Sequence, residues 1–376
     1  MFDITRRSLR ILVLCKRQYT GKDLIDDKYG RLREIPLGLA MRGHEVKGIC
    51  FSYRKRKTGA FLDQLDHCNI GVFWHSINMG RFIFPGIISY MRRVKELAVE
   101  FRPDIVLAMS DAFHIIYGKH IAQLVGAEFV ADLYDNFESF VGTKLLGVRR
   151  SYIRAVASAD KVVCVSEPLK SFITSNYHCN GGVSTIENGY DADLFRPLDR
   201  KMCRKKLGLP ENAKLIGTAG AISKSRDIDT LFRATEKLGA RYPELALVVA
   251  GTADTKLEWP ANVRLHNLGC LPHEKIPSFF NALNVAVIPN SDSEFGRYCF
   301  PQKASEILAC RVPVVAASVG TMKVLFWDKS DHLYEPGNVE QLSDKIDRLL
   351  VTPEETGIKT HEWKDIVEHY DKVLLD

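Results

Sequence analysis

The chain has 376 residues, of which 46% are hydrophobic and 26% charged, as in an ordinary soluble globular protein of roughly two domains. Nine cysteines without a C-x-x-C pair indicate neither a zinc site nor a disulfide framework, and no apolar run reaches the roughly 18 residues of a spanning helix. The net charge of +6 comes from the first 200 residues, whose basic clusters form no recognisable nucleic-acid-binding module, so we expect a cytoplasmic protein without a nucleic-acid partner.

The first half of the chain alternates strand-like and helix-like segments. Buried-strand candidates are the apolar runs at 10–15 (RILVLC), 46–50, 70–75, 104–109, 128–134, 161–166 and 183–188, and the segment 29–41 has helical character. Such βαβ alternation is typical of a parallel sheet that is covered by helices on both faces. We therefore predict one doubly wound α/β domain at residues 1–197.

A polar, charged passage at 191–213 lacks strand character and is predicted to contain the domain linker. Beyond it the alternation resumes, with strand candidates at 214–220, 245–251, 263–269 and 285–290 and helices at about 229–238 and 272–283. This pattern predicts a second doubly wound domain at residues 198–354. Ligands of such sheets bind outside the carboxyl ends of the strands, so we expect a cleft between the two domains.

The stretch 289–320 (PNSDSEFGRYCFPQKASEILACRVPVVAASVG) carries the clearest chemical signal. It passes through a loop at Gly296 and enters a helix at Pro301, which suits a first helical position. The first-turn N–H groups of that helix lack intrahelical partners and can hold a phosphate. Lys303 and Glu306 share one helical face at the same mouth. An ordinary surface Lys–Glu pair is the alternative interpretation.

Segments along nearly the whole chain, in the same order, resemble glycosyltransferase family 4. They include LAMRGHEV (39–46), SADKVVCVS (158–166), ENGYDADLFRP (187–197), GAISKSRDIDTLFRA (220–234), NLGCLPHEKIPSFFNALNVAVIPN (267–290) and YEPGNVEQLSDKIDRLL (334–350), besides the stretch above. The resemblance implies a GT-B fold, with an acceptor-binding first domain and a donor-binding second domain. The last segment, within 355–376, resembles the family's terminal helix, which crosses back to the first domain.

The resemblance also implies donor-binding residues. A carboxylate at the Glu306 position holds the donor's ribose hydroxyls in this family, and an anionic acceptor suits a vicinal diol. The family's partner Glu, eight positions earlier, is Tyr298 here. The loop from Gly296 through Arg297 and Tyr298 is therefore expected to contact the sugar, beside Lys303. Further predicted donor contacts are Gly220, Gly251 and Thr321.

The family grips the pyrophosphate with an Arg and a Lys in the first loop of its second domain. When the chain is aligned on Asp229, the Arg becomes Ala221 and the Lys becomes Arg226. Arg226 can fork onto phosphate oxygens, and Lys224 can supply a second charge. An exposed loop lysine is the alternative interpretation of Lys224.

In the first domain the family often has a His-Asp pair close to the acceptor. The corresponding positions here are Tyr134 and Asp135, so an Asp remains without the His. Asp135 is predicted to orient the acceptor hydroxyl or accept its proton, with a helix N-cap as the alternative. His114 follows another strand and is a weaker candidate, because a lone His is more often structural.

The reaction implied by the resemblance is retaining transfer of a sugar from a nucleoside-diphosphate sugar to a saccharide or lipid-linked acceptor. Fixed cations and a helix terminus can stabilise the departing diphosphate, so neither a metal nor a cofactor is predicted. A sugar-nucleotide 2-epimerase of the same architecture is one alternative, although its acid/base carboxylates and His set have no evident positions. A catalytically inactive nucleotide-sugar-binding protein is another, suggested by Tyr298 and Ala221.

A membrane surface is a further predicted partner. The segment 81–91 (RFIFPGIISYM) places an apolar stretch directly before the basic residues Arg92, Arg93 and Lys95. Peripheral proteins meet anionic leaflets through such a combination. We therefore expect attachment to the inner face of the membrane, unless the apolar residues form ordinary core.

Overall fold

The computed structural model describes residues 7–19, 21–64, 70–79 and 83–376. The chain divides into two compact units. The first joins Met1–Asn188 to Trp363–Asp376, and the second is Gly189–Glu362. Each unit is an α/β layer structure around its own sheet, as the sequence predicts.

The first unit is built on a largely parallel sheet. Its strands are β1 (Arg10–Lys16), β2 (Gln18–Tyr19), β3 (Lys22–Asp23), β4 (Glu45–Ser52), β5 (Gly59–Gln64), β6 (Gly71–Asn78), β7 (Ile105–Met109), β8 (Glu128–Leu133), β9 (Lys161–Cys164) and β10 (Gly182–Thr185). Among the described residues the order is β10-β9-β8-β7-β1-β4-β6-β5, and β2 pairs with β3 separately. β5 was not predicted. It pairs antiparallel with β6 at the sheet edge, where mostly exposed residues give no buried apolar run.

Helices connect these strands. They are α1 (Arg31–Met41), α2 (Ile83–Phe101), α3 (Ala112–Val125), α4 (Val148–Ala157) and α5 (Glu167–Asn176). The segment predicted to meet a membrane leads into α2; of it, Arg81 and Phe82 lie outside the described residues. Along α2, Tyr90 and Val94 are fully buried, whereas Ile88 is 63% exposed. The helix therefore buries one face and leaves apolar residues on the other.

The second unit has a parallel sheet in the order β13-β12-β11-β14-β15-β16. The strands are β11 (Lys214–Ala219), β12 (Leu245–Ala250), β13 (Arg264–Asn267), β14 (Val285–Ile288), β15 (Val314–Ala317) and β16 (Leu333–Tyr334). The helices are α6 (Arg200–Leu207), α7 (Ile228–Gly239), α8 (Ile276–Ala282), α9 (Glu294–Tyr298), α10 (Gln302–Ala309), α11 (Thr321–Leu325) and α12 (Val339–Val351). Neighbouring residues of β11 belong to different hydrophobic cores. Leu215 packs in a core with residues of α8 and α10, and Ile216 packs in another with residues of α7 and α12. Helices therefore cover both faces, which confirms the doubly wound prediction.

The passage predicted to hold the linker is folded. It contains α6, and Phe195 is buried in the core of the second unit, so the observed division falls before Gly189 rather than after Pro197. Helix α13 (Trp363–Leu375) belongs to the first unit. There the Tyr370 hydroxyl donates to Asp132 over 2.9 Å, and Asp371 pairs with Arg42.

The cysteines that the structure describes are all free, and most are buried. Over the same residues, no helix combines the length and the apolar character needed to cross a membrane.

Candidate functional site

Two glycines bring the first loops of the second unit together at the carboxyl edge of its sheet. Gly220 follows β11 and Gly251 follows β12, with φ angles of 112° and 138°. A Cβ atom on Gly251 would lie 1.8 Å from the carbonyl oxygen of Gly220. Only glycine fits there, because any side chain would collide with backbone. Gly220, a predicted donor contact, is exposed. The backbone of Gly251 packs directly against it and holds the turn in place.

The loops after β14 and β15 also meet through glycine. A Cβ atom on Gly320 would lie 2.3 Å from the carbonyl oxygen of Arg297, and one on Gly296 would lie 2.1 Å from that of Ser291. The adjacent Thr321 is buried, and its hydroxyl donates to the Cys299 carbonyl over 2.9 Å. The contact made by Thr321 in this structure is thus one that fastens the two loops together.

The segment predicted as a loop around Gly296 is the short helix α9. Ser293 caps it by accepting from the Gly296 N–H over 3.1 Å. Arg297 is exposed and makes a bidentate pair with Asp292, with Nε 2.6 Å from Oδ1. Tyr298 is partly buried at the end of the helix. The guanidinium of Arg297 is therefore already engaged by a carboxylate, which the sequence analysis did not foresee.

Lys303 lies beside the carboxyl end of β11. Its Nζ is 3.3 Å from the Thr218 hydroxyl, and it would be 3.8 Å from a Cβ atom on Gly220. Burial, and then repulsion by Arg226, lower the pKa of Lys303 to about 7, although Glu306 opposes the shift. The charged form of Lys303 is therefore disfavoured in these surroundings.

Arg226, in the loop after β11, is near enough to Lys303 to lower its pKa. It ends the short 3-10 helix Lys224–Arg226, and its guanidinium carbon lies 3.9 Å from the centroid of the Phe295 ring. This cation–π contact orients the guanidinium without neutralising it. Lys224 does not join the pair, since its side chain is 60% exposed and its ammonium lies 4.0 Å from Asp229. Two of the predicted cations converge and one does not.

The remaining polar groups line the start of α10. The Glu306 side chain, one turn beyond Lys303, is buried. The side-chain oxygens Asn290 Oδ1 and Gln302 Oε1 are buried without a hydrogen-bond partner among the described residues. Neither residue was predicted, although Asn290 ends the strand predicted at 285–290 and Gln302 follows Pro301, the predicted start of the helix. Their unmet oxygens are acceptors that a ligand can satisfy.

The first unit carries a second polar cluster where β1, β7 and β8 end. Asp135 is buried and accepts from the Asn136 N–H over 2.8 Å. Asn136, and not Asp135, caps the following 3-10 helix, so the capping alternative for Asp135 is wrong. Lys16, which was not predicted, has its Nζ 5.4 Å from the centroid of Tyr134. Burial lowers the pKa of Lys16, with Asp111 and Asp135 acting against it.

His114 is a structural partner of Asp111. Its Nδ1 lies 2.7 Å from the Asp111 carboxylate, which caps α3 and also accepts from the Tyr53 hydroxyl over 3.0 Å. Burial disfavours the charged carboxylate, but His114 and Lys16 outweigh it and lower the pKa of Asp111 to about 2. Within the described part of the chain, no group of three or more His, Cys, Asp or Glu residues is placed to hold a metal ion.

Comparisons with known proteins agree with this architecture. The model of Glycosyltransferase Family 4 matches residues 32–194, and that of Glycosyl transferases group 1 matches residues 199–374. A D-inositol 3-phosphate glycosyltransferase of Catenulispora acidiphila is 30% identical over 184 residues, covering 44% of this chain and 42% of the relative. The chain spans about half the length of the curated relatives it matches.

Solved structures share the fold. Sucrose-phosphate synthase from Thermosynechococcus elongatus has a TM-score of 0.74 at 16% identity, covering 98% of this chain and 97% of that one. Anabaena Alr3699/HepE, in complex with UDP and glucose, has a TM-score of 0.71 at 18% identity, covering 98% and 99%. The two family models together match nearly the whole chain in order. The chain therefore belongs to the family 4 glycosyltransferases and has the GT-B fold.

Proposed function

We propose that the protein transfers a sugar, with retention of anomeric configuration and without a metal ion, from a nucleoside-diphosphate sugar to a saccharide or lipid-linked acceptor. Lys303 lies beside the Gly220 turn and Arg226 is near enough to repel its ammonium, and this pair of basic groups carries the proposal. With the diphosphate bound, both groups carry a positive charge, and they stabilise the negative charge that builds as the diphosphate departs.

The second unit holds the donor in this proposal. The diphosphate lies against Gly220, with Lys303 and Arg226 as its counter-charges, and Glu306 accepts hydrogen bonds from the ribose hydroxyls. Backbone around Gly296 and Tyr298 faces the sugar. Lys224 is left out because it is exposed and close to Asp229. A UDP-sugar is favoured over a GDP-sugar because the similar HepE structure contains UDP and glucose.

The first unit binds the acceptor in this proposal. Asp135 orients the acceptor hydroxyl, and Lys16 supplies a cation beside it. The matched relatives are named for D-inositol 3-phosphate, which favours a phosphorylated polyol or saccharide as the acceptor to test first. The outer face of α2, with Ile88, Met91 and Arg92 exposed, is the proposed contact with an anionic membrane.

Product analysis tests the proposal. UDP-glucose and related nucleotide sugars are incubated with inositol phosphate, glucose 6-phosphate or lipid-linked saccharides, and the anomeric configuration of the product is read by NMR. We expect a donor whose anomeric bond is axial to give a product whose new glycosidic bond is axial. The rate should be the same with and without EDTA. An inverted product would contradict the retaining mechanism, and a rate lost in EDTA and restored by Mg²⁺ would contradict metal independence. Isomerisation of the donor without any acceptor would identify an epimerase instead.

A further inference from the structure

The loop between β8 and α4 exposes three large apolar side chains within six residues. Val141 is 83% exposed, Leu145 63% and Leu146 104%. Single exposed apolar residues are ordinary on a protein surface, but three this close form a patch that needs an explanation. We call Val141, Leu145 and Leu146 the exposed tip.

The exposed tip is held in one conformation by hydrogen bonds and buried neighbours. Val141–Lys144 form a 3-10 helix in which the Thr143 N–H bonds to the Phe140 carbonyl over 3.0 Å, and the Thr143 side chain is buried. Phe140 packs on the fully buried Phe137, with ring centroids 5.5 Å apart. Gly147 then takes a left-handed conformation with φ 80° and starts α4. The fold therefore presents these side chains to the outside at a fixed position.

Basic residues lie within and directly after the exposed tip. Lys144 lies inside the turn, and Arg149, Arg150 and Arg154 follow in the first two turns of α4, all exposed. Arg149 is partly offset by Glu138, whose carboxylate lies 3.1 Å away. Exposed apolar side chains next to exposed cations fit the interface of an anionic bilayer, where the apolar chains enter the acyl boundary and the cations meet headgroups.

Helix α2 and helix α4, which follows the exposed tip, both pack against α3 in the first unit. The hydroxyl of Tyr117 on α3 donates to the Met91 carbonyl of α2 over 2.6 Å, and Lys119 on α3 donates to the Arg154 carbonyl of α4 over 3.4 Å. Helices of βαβ units start at the carboxyl edge of the sheet, so α2 and α4 begin on the same side. Two helix spacings put them about 20 Å apart, which a flat membrane can span.

We infer that the exposed tip inserts into the interface of an anionic membrane and acts with the outer face of α2 as a second attachment point. The inference deepens the proposed membrane contact and rests on it, but it does not depend on the donor chemistry. Two separated contacts hold a rigid unit in one orientation, whereas a single contact lets it pivot. The attachment therefore also fixes which edge of the first unit faces the lipid.

Vesicle sedimentation tests the inference with the full chain and vesicles of phosphatidylcholine with or without phosphatidylglycerol. The variant Val141→Ser/Leu145→Ser/Leu146→Ser should bind anionic vesicles at least about tenfold more weakly than wild type, with an unchanged melting temperature and unchanged UDP affinity. If this variant binds normally while Arg92→Glu/Arg93→Glu/Lys95→Glu does not, α2 alone is the contact and the inference is wrong. If wild type ignores both vesicle types, the proposed membrane contact fails together with the inference.

A tryptophan probe gives an independent readout. The emission of Leu146→Trp, after subtraction of the wild-type signal, should shift to the blue with anionic vesicles and be quenched by brominated lipid. Val351→Trp is the matched control, because Val351 is also an apolar residue at the end of a helix and is 65% exposed, but it lies in the second unit. A concentration-dependent dimer that the serine variant abolishes would assign the exposed tip to a second copy of the chain and overturn the inference.

Discussion

The Nζ of Lys303 lies 3.3 Å from the hydroxyl of Thr218, on the strand that ends at the Gly220 turn. Burial and the nearby Arg226 lower the pKa of Lys303 to about 7, so the amine is about half protonated near neutral pH. A bound diphosphate would supply the negative charge that this environment lacks. Protonation of Lys303 and binding of the diphosphate should therefore favour each other.

Donor affinity should fall as the pH rises above 7. Binding of an anion favours the charged ammonium, so the complex takes up a proton and its affinity drops by up to about tenfold per pH unit above the pKa of the empty site. Calorimetry with a nucleotide sugar, whose diphosphate does not titrate in this range, measures the affinity. Buffers of different ionisation enthalpy measure the proton uptake. Lys303→Arg, which stays charged, should flatten the profile. A profile that Lys303→Arg leaves unchanged would contradict the prediction.

Arg226→Ala should lower kcat and kcat/KM together by about a hundredfold, because its charge is needed mainly when the diphosphate departs. Lys224→Ala is the comparison from the same loop, and its exposed side chain should contribute less than about twofold. Steady-state rates with saturating acceptor measure both. A change in KM alone would assign Arg226 to ground-state binding, and an equal loss in Lys224→Ala would restore that residue to the site.

Glu306→Gln should weaken donor binding by about 1.5 to 3 kcal/mol, the contribution of a hydrogen bond to a charged group. The amide keeps the size of the carboxylate, so the melting temperature should change little. Glu294→Gln is the control, since Glu294 is exposed in the first turn of α9. Calorimetry of nucleotide-sugar binding decides the matter, and equal affinity in wild type and Glu306→Gln would remove Glu306 from the ribose site.

The stability of the first unit should depend on a buried ion pair. Arg31 and Asp132 are fully buried, with Nη2 2.8 Å from Oδ2, and Arg31 also donates to the Ile186 carbonyl over 2.8 Å. Asp132→Ala leaves the guanidinium without its counter-charge, at a cost of about 3 to 5 kcal/mol. The double change Arg31→Met/Asp132→Leu should cost less than Asp132→Ala. Urea unfolding of the wild type and both variants measures the losses, and a double variant that is as unstable as Asp132→Ala, or less stable, would contradict this account.

Much of the fold and the centre of the candidate site follow from local sequence. Apolar runs such as Ile11–Cys15 predict buried strands because a strand covered on both faces cannot tolerate polar side chains. The spacing of Lys303 and Glu306 places both on one face of a helix, wherever that helix packs. The close approach of the Gly251 backbone to that of Gly220 leaves no room for a side chain, so the position requires glycine. A glycine directly after a predicted strand can be recognised in the sequence.

Tertiary structure alone decided which of the candidate side chains remain available. Arg297 is engaged by Asp292 and the Thr321 hydroxyl by a backbone carbonyl, whereas among the described residues the contact shown for Arg226 is the Phe295 ring. Whether a charge meets a partner depends on distances that sequence spacing does not contain. The low pKa of Lys303 has the same origin, because desolvation is a property of the packed surroundings and not of the residue.

Long-range pairing explains the remaining differences. Lys16 and Asp111 come together only because β1 and β7 are neighbours in the sheet, and Arg31 meets Asp132 only because the first residue of α1 lies close to the end of β8. The sequence by itself determined which segments become strands and helices, through local patterns of apolar residues and glycine. Only the folded sheet decided which charges face each other, because strand order joins residues that are about a hundred positions apart along the chain.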